Sequence, residues 1–163
     1  MQPGEMRNLV DHKLTIRDMA SGEEPLVFEL VMRGFDELVR ADCTEEGVAE
    51  FSRAVHSFIV ERLPGHHVTV AERDGRPLGM IDIRDGWHVS LFFVESGDRG
   101  RGVGRVLLET ALGRPASGAA GPAEITVNSS LWAVTIYERL GFTATGPVSE
   151  VKGIRFVPMV KKL

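Results

Sequence analysis

A chain of 163 residues, 43% hydrophobic and 26% charged, has the size and composition of one globular domain spanning 1–163, able to bury about two-thirds of the surface its unfolded form exposes. No window approaches the roughly eighteen apolar residues of a membrane span, and Met1 to Val10 lack the apolar segment of a secretory leader, so a cytoplasmic location with no membrane partner is expected. A net charge of −4 and a single cysteine, Cys43, argue against nucleic-acid binding, which rests on a general attraction to polyanions, and against a disulfide or a cysteine-rich metal site.

Lys13 to Arg17 alternates briefly as a strand does, and an acidic, glycine-bearing loop follows from Asp18 to Glu24. Leu26, Leu30, Val31, Phe35 and Leu38 recur at helical spacing after Pro25, which suits a first-turn position. Val48, Phe51, Val55, Phe58 and Ile59 form a second stripe that runs to Leu63 and is stopped by Pro64-Gly65. Thr44 precedes this second helix without a complete capping box.

From His66 the period falls to two. Val68 to Ala71 leads through Asp74-Gly75, a pair favoured in two-residue hairpin turns, to Leu78 to Ile83, and after Asp85-Gly86 a third strand runs from Trp87 to Val94. A helix with Val103, Val106, Leu107 and Ala111 on its apolar side comes next, then a small-residue loop from Gly113 to Pro122. Ala123 to Val127 reads as a strand and Leu131 to Leu140 as a helix ended by Gly141. Two further strands fall around Thr143 to Thr145 and Phe156 to Val160. The order of elements predicts an α+β layered domain with a mixed sheet.

Between the third strand of the meander and its helix lies Arg99-Gly100-Arg101-Gly102-Val103-Gly104-Arg105. Glycines let several backbone amides converge on one anion, the helix start adds its partial positive charge, and the arginines supply charge-assisted contacts. No Gly-Lys-Ser/Thr follows, so the loop is not a Walker phosphate loop, and no acidic residue stands where a dinucleotide fold needs one. Taken alone, it is equally well a flexible turn with solvated arginines.

Arg99, Gly102 and Gly104 fill the Gln/Arg-x-x-Gly-x-Gly/Ala pattern that follows the fourth strand of the GNAT superfamily of acyl-coenzyme A N-acetyltransferases, and Ala133 to Phe142 resembles its Ala-x-x-[aliphatic]-Tyr-x-x-x-Gly-Phe helix. The resemblance covers nearly the whole chain. It implies a mixed, mostly antiparallel sheet of about seven strands with about four helices, splayed between strands 4 and 5. The implied activity is acetyl transfer from acetyl-coenzyme A to an amine, a small molecule or a peptide, by direct attack in a ternary complex; a non-catalytic acyl-coenzyme A sensor is the alternative. Arg99, Gly100, Arg101, Gly102, Val103, Gly104 and Arg105 would wrap the pyrophosphate, the main chain of Phe92, Phe93 and Val94 would pair with the pantetheine arm, and Asn128 and Ser130 would offer polar groups to its amides. Ser130 replaces the family's usual asparagine, and it or Ser129 also suits a helix cap. No metal is implied, His66-His67 giving two ligands at poor geometry. A homodimer is expected by analogy.

By the same resemblance Tyr137, the only tyrosine, holds the place of the acid that protonates the departing thiolate, although its helical spacing with Ile136 and Leu140 also fits plain core packing. His88 stands eleven residues before Arg99, where members with a side-chain base often carry glutamate. An imidazole can accept the amine proton directly or through water, or serve only as a structural donor. Asp82 and Glu72 are further candidates for the base. The acceptor is chosen in this fold between roughly Glu24 and Pro64 and in the last hairpin, where Asp36, Glu37, Arg40 and Arg155 form no recognisable pattern.

Overall fold

The computed structural model describes residues 13–113 and 121–163. The leader reading of Met1 to Val10 and all but the ends of the loop from Gly113 to Pro122 lie outside the described residues. The chain runs β1 (Thr15–Asp18), α1 (Glu24–Leu38), α2 (Glu45–Val55), β2 (His66–Arg73), β3 (Arg76–Arg84), β4 (His88–Val94), α3 (Val103–Leu112), β5 (Glu124–Ser129), α4 (Val134–Arg139), β6 (Thr143–Ala144), β7 (Ser149–Val151) and β8 (Ile154–Lys162). These strands form one mixed sheet in the order β1-β2-β3-β4-β5-β8-β6, with β7 paired to β8. All neighbours are antiparallel except β4 and β5. The sheet has one strand more than the pattern predicts, because β7 is short and two of its three residues are exposed, leaving no apolar alternation to mark it.

Both faces of the sheet are covered. Val27, Leu30, Val31, Val55 and Ile59 of the first two helices pack on Val68, Val70, Met80 and Leu91. On the other face Val103, Leu107, Leu108, Tyr137 and Leu140 pack on Ala71, Ile81, Ile83, Val89, Ile125 and Val127. Pro25 opens α1 as its fixed φ favours. The inward stripe of α1 differs by one position from the expected one: Val27 is fully buried and Leu26 is exposed. Thr44 caps α2, its Oγ1 accepting from Gly47 N–H at 3.1 Å. The second helical pattern does not continue uniformly to Leu63; after Val55 it widens into one π-helical turn, His56–Val60. The last helix is shorter than its apolar pattern, starting at Val134 after a turn in which Ser130 Oγ accepts from Ala133 N–H at 3.3 Å.

Two backbone features shape the centre of the sheet. The β2–β3 hairpin closes on Asp74 and Gly75, both at positive φ (55° and 77°), the geometry of a type I′ turn. Between β3 and β4 the register changes from Asp82↔Leu91 to Ile83↔Val89. Ser90 is therefore an extra residue, a bulge that bends β4 and increases its twist.

Candidate active site

The bulge decides what β4 does next. Its pairing with β5 consists of His88↔Thr126 and Val89↔Val127 and then stops, while its pairing with β3 continues to Gly79↔Val94. Beyond Val89 the two parallel strands part: β4 carries the bulge at Ser90, while β5 keeps an unbroken register with β8 as far as Ser129↔Val157. The edge of β4 from Ser90 to Val94 that faces the gap has no neighbouring strand, and unpaired main-chain groups there need another partner.

A groove of about 470 Å³ fills the gap, the size of a site for one extended small ligand. Phe92, Phe93 and Val94 line it on one side, and Asn128 and Ser130 on the other. Arg99, Gly100, Gly102, Gly104 and Arg105 form its mouth, and Tyr137 its floor. Thus the sequence candidates from β4, β5, the glycine loop and α4 meet in one place. Val103 turns its side chain into the core at 4% exposure, leaving only its main chain towards the loop. Arg101 is exposed beside the groove rather than lining it.

The loop leaves its backbone open at the start of a helix. Gly102 begins α3 at φ 84°, and nothing lies within 4 Å of where a Cβ would stand, so the approach to the first amides of a ten-residue helix is open. Arg99 holds the loop in place: its Nε donates to the Val94 carbonyl at 2.8 Å, and its Nη1 and Nη2 donate to Glu37 at 3.2 Å. The same guanidinium lies 5.9 Å from the ring centre of Trp132, within cation–π range. Arg105 Nη2 donates to the Arg139 carbonyl at 3.1 Å. Arg101 and Arg139 have no ion-pair partner among the described residues. Sequence reasoning misses Glu37 and Trp132 as supports of Arg99; both reach it from distant elements, and no local spacing signals that.

Tyr137 is 8% exposed, its ring edge-on to Phe92 at 6.1 Å and to Phe142 at 5.3 Å. Its hydroxyl has no hydrogen-bond partner among the described residues, and burial pushes the phenol well above its ordinary pKa. It keeps its proton at any working pH. Ser90 also borders the groove, and its Oγ is buried without a partner.

The other acid–base candidates lie elsewhere. His88 is at the closed end of the gap and does not line the groove. Its Nδ1 shares a 2.8 Å hydrogen bond with Thr126 Oγ1. Burial first, then the positive field of Arg84 and His66, lowers its pKa to about 4, so it is neutral at pH 7. Asp82 is fully buried on β3, with Oδ2 2.6 Å from His66 Nδ1, and burial raises its pKa. Glu72 sits on β2, 3.4 Å from Arg17, and neither acid lines the groove. His67 pairs with Asp18 at 2.7 Å. Among the described residues no group of three or more His, Cys, Asp or Glu side chains is arranged for a metal, and no helix is long and apolar enough to cross a membrane.

A mixed sheet parted between two parallel strands, with a glycine-rich loop at the mouth of the gap, is the architecture in which the site lies. The family described as acetyltransferase (GNAT) domain matches residues 39–163, and the chain belongs to it. Among solved structures the chain is similar to a GCN5-related N-acetyltransferase from Rhodopseudomonas palustris, at 22% identity and a TM-score of 0.73, over 91% of this chain and 95% of that one. It is similar to YjaB from Escherichia coli in its apo form, at 29% identity and a TM-score of 0.68, over 91% and 97%. A third similar structure is the paia N-acetyltransferase from Thermoplasma acidophilum in complex with coenzyme A, at 15% identity and a TM-score of 0.65, over 93% and 99%. No curated protein sequence matches the chain.

Proposed function

We propose that the protein is an N-acetyltransferase that moves the acetyl group of acetyl-coenzyme A to an amine by direct attack in a ternary complex, within one domain spanning 1–163. The observation that carries this reading is the parting of β4 from β5 after Val89, with the Arg99–Arg105 loop at its mouth. Three features of the chain fit the carrier. The free edge of β4 offers main-chain groups to an amide-bearing arm; open space over Gly100 and Gly102 leaves room for a diphosphate; and Arg101, Arg105 and Arg139 bring positive charge to it. Asn128 and Ser130 face the arm from the opposite strand. Bound there, the carrier supplies a thioester whose carbonyl is open to attack by nitrogen.

The chain then has three tasks. Main-chain amides of β4 hold the thioester oxygen and take up the charge that grows on it. As the C–N bond forms and the C–S bond breaks, the Tyr137 hydroxyl donates to the departing sulfur. The same burial that raises the phenol raises the proton affinity of the thiolate beside it, so donor and acceptor stay matched. His88, at the closed end of the gap and outside the groove lining, enters as the proton acceptor through water, in the neutral form that its lowered pKa secures.

Calorimetry with acetyl-coenzyme A, followed by free-thiol release across a panel of amines, tests the reading: binding with amine-dependent thiol release is expected, and binding without release from any amine would leave a sensor instead. His88→Ala is expected to remove an acid limb near pH 4 from the turnover profile; an identical profile would take His88 out of the mechanism.

A further inference from the structure

The end of the groove away from the glycine loop differs in character from the end that suits the coenzyme. Its walls are Leu38 and Val39 at the end of α1, Phe51 of α2, Phe93 of β4, and Ile154 and Phe156 of β8. The aromatic rings form a connected set: Phe35 stacks on Phe51 at 4.1 Å, and Phe51 meets Phe93 edge-on at 6.3 Å. Such walls favour an apolar and above all an aromatic body.

Among the described residues that line the groove, Asp98 is the one carboxylate. Arg155 lies on β8 between Ile154 and Phe156, borders the groove and is exposed, and its side chain makes no hydrogen bond or ion pair among the described residues. Its cross-strand neighbour Glu150 lies outside ion-pair distance. Asp98 is engaged by Arg73 at 2.8 Å, and outside the lining Glu37 is held by Arg99 at 3.2 Å and Asp36 by Arg40 at 2.8 Å, while Glu150 and Asp42 make no ion pair among the described residues and do not border the groove. A polycationic acceptor would find no free carboxylate in the lining, whereas an anionic group would find Arg155, which can bind a carboxylate through two parallel hydrogen bonds.

Resting on the acetyltransferase reading, we infer that the acceptor is a small primary amine that carries both an aromatic or other apolar body and a carboxylate, the chemistry of a free apolar amino acid, with Arg155 as its carboxylate anchor.

The test uses the full chain with acetyl-coenzyme A and thiol release, comparing L-phenylalanine, L-phenylalaninamide, 2-phenylethylamine and spermidine. Phenylalanine is expected to exceed each of the others at least tenfold in kcat/KM. Arg155→Ala should lower kcat/KM for phenylalanine at least tenfold, mainly through KM, while leaving 2-phenylethylamine and the KM of acetyl-coenzyme A within about twofold, and Arg155→Lys should restore part of the loss. Preference for the amide or for spermidine, an equal effect of Arg155→Ala on both aromatic amines, or no turnover of any of the four by protein that binds acetyl-coenzyme A would overturn the inference. Failure to bind acetyl-coenzyme A would instead overturn the transferase reading beneath it.

Discussion

Replacing Tyr137 by phenylalanine removes one oxygen from the floor of the groove and separates catalysis from packing. The edge-on contacts with Phe92 and Phe142, each worth about 0.5–1.5 kcal/mol beyond burial, depend on the ring and survive the change. The hydroxyl has no protein partner to lose among the described residues, and its oxygen opens on the groove rather than being sealed in the core. Folding stability should therefore stay level within about 0.5 kcal/mol, a change in Tm of no more than about 2 °C at roughly 2–4 °C per kcal/mol for a chain of this size. Turnover should behave differently. Loss of a proton donor to the leaving sulfur is expected to lower kcat at least tenfold, about 1.4 kcal/mol of transition-state stabilisation, while KM for acetyl-coenzyme A moves less than about twofold. Thermal unfolding beside steady-state thiol release, with the best amine of a panel, measures both. An unchanged kcat would refute the acid role, and a kcat loss matched by a fall in Tm would return Tyr137 to a packing role.

Three other substitutions probe the frame around the groove. A Cβ on Gly47 would stand 2.1 Å from the Gly153 carbonyl oxygen, so Gly47→Ala must push α2 away from the β7–β8 turn; a loss of about 1–3 kcal/mol is expected in denaturant unfolding, with a higher KM for the amine and little change for acetyl-coenzyme A. Cys43 donates to the Val39 carbonyl at 3.6 Å, and burial raises its pKa, so it is a poor nucleophile; Cys43→Ser should keep turnover within about twofold and leave initial-velocity lines intersecting, whereas parallel lines in the wild type would indicate an acyl-enzyme. His88, lowered from 6.5 to about 4 in the fold, stabilises the native state fully above pH 6.5 and loses that contribution as pH falls towards 4. The full difference corresponds to about 3 kcal/mol, and partial exposure reduces it to roughly 1–2. His88→Gln should therefore show a shallower fall in Tm than the wild type across that window, and equal slopes would contradict the burial of the ring.

Local chemistry made much of this architecture readable. Asp74-Gly75 marked a hairpin because few other pairs occupy two successive left-handed positions, and the stripe of Leu30, Val31 and Phe35 marked the inner face of α1. The loop from Arg99 to Arg105 could be read as an anion site because glycine and arginine have distinct physical uses, one opening the backbone and the other supplying charge. What stayed hidden depends on long-range pairing. The extra residue at Ser90 is invisible to a period-two pattern that cannot count residues on the neighbouring strand, yet it turns β4 away from β5. Leu26 and Val27 differ by one position on a helix, and only the docking angle of α1 decides which is buried. His88 sits at a family position on the strand, but its distance from the groove depends on where the strands part. Arg155 carried no local signal at all, since its meaning comes from the pairing of the nearby carboxylates with other arginines.

The most direct measurement is a titration of isotope-labelled protein with acetyl-coenzyme A, followed through the backbone amide resonances. The account predicts saturable shifts concentrated in the amides of Ser90 to Val94 and Arg99 to Arg105, with Gly102 among the largest. Saturable binding that leaves those amides unmoved, or no binding at millimolar ligand, would contradict it.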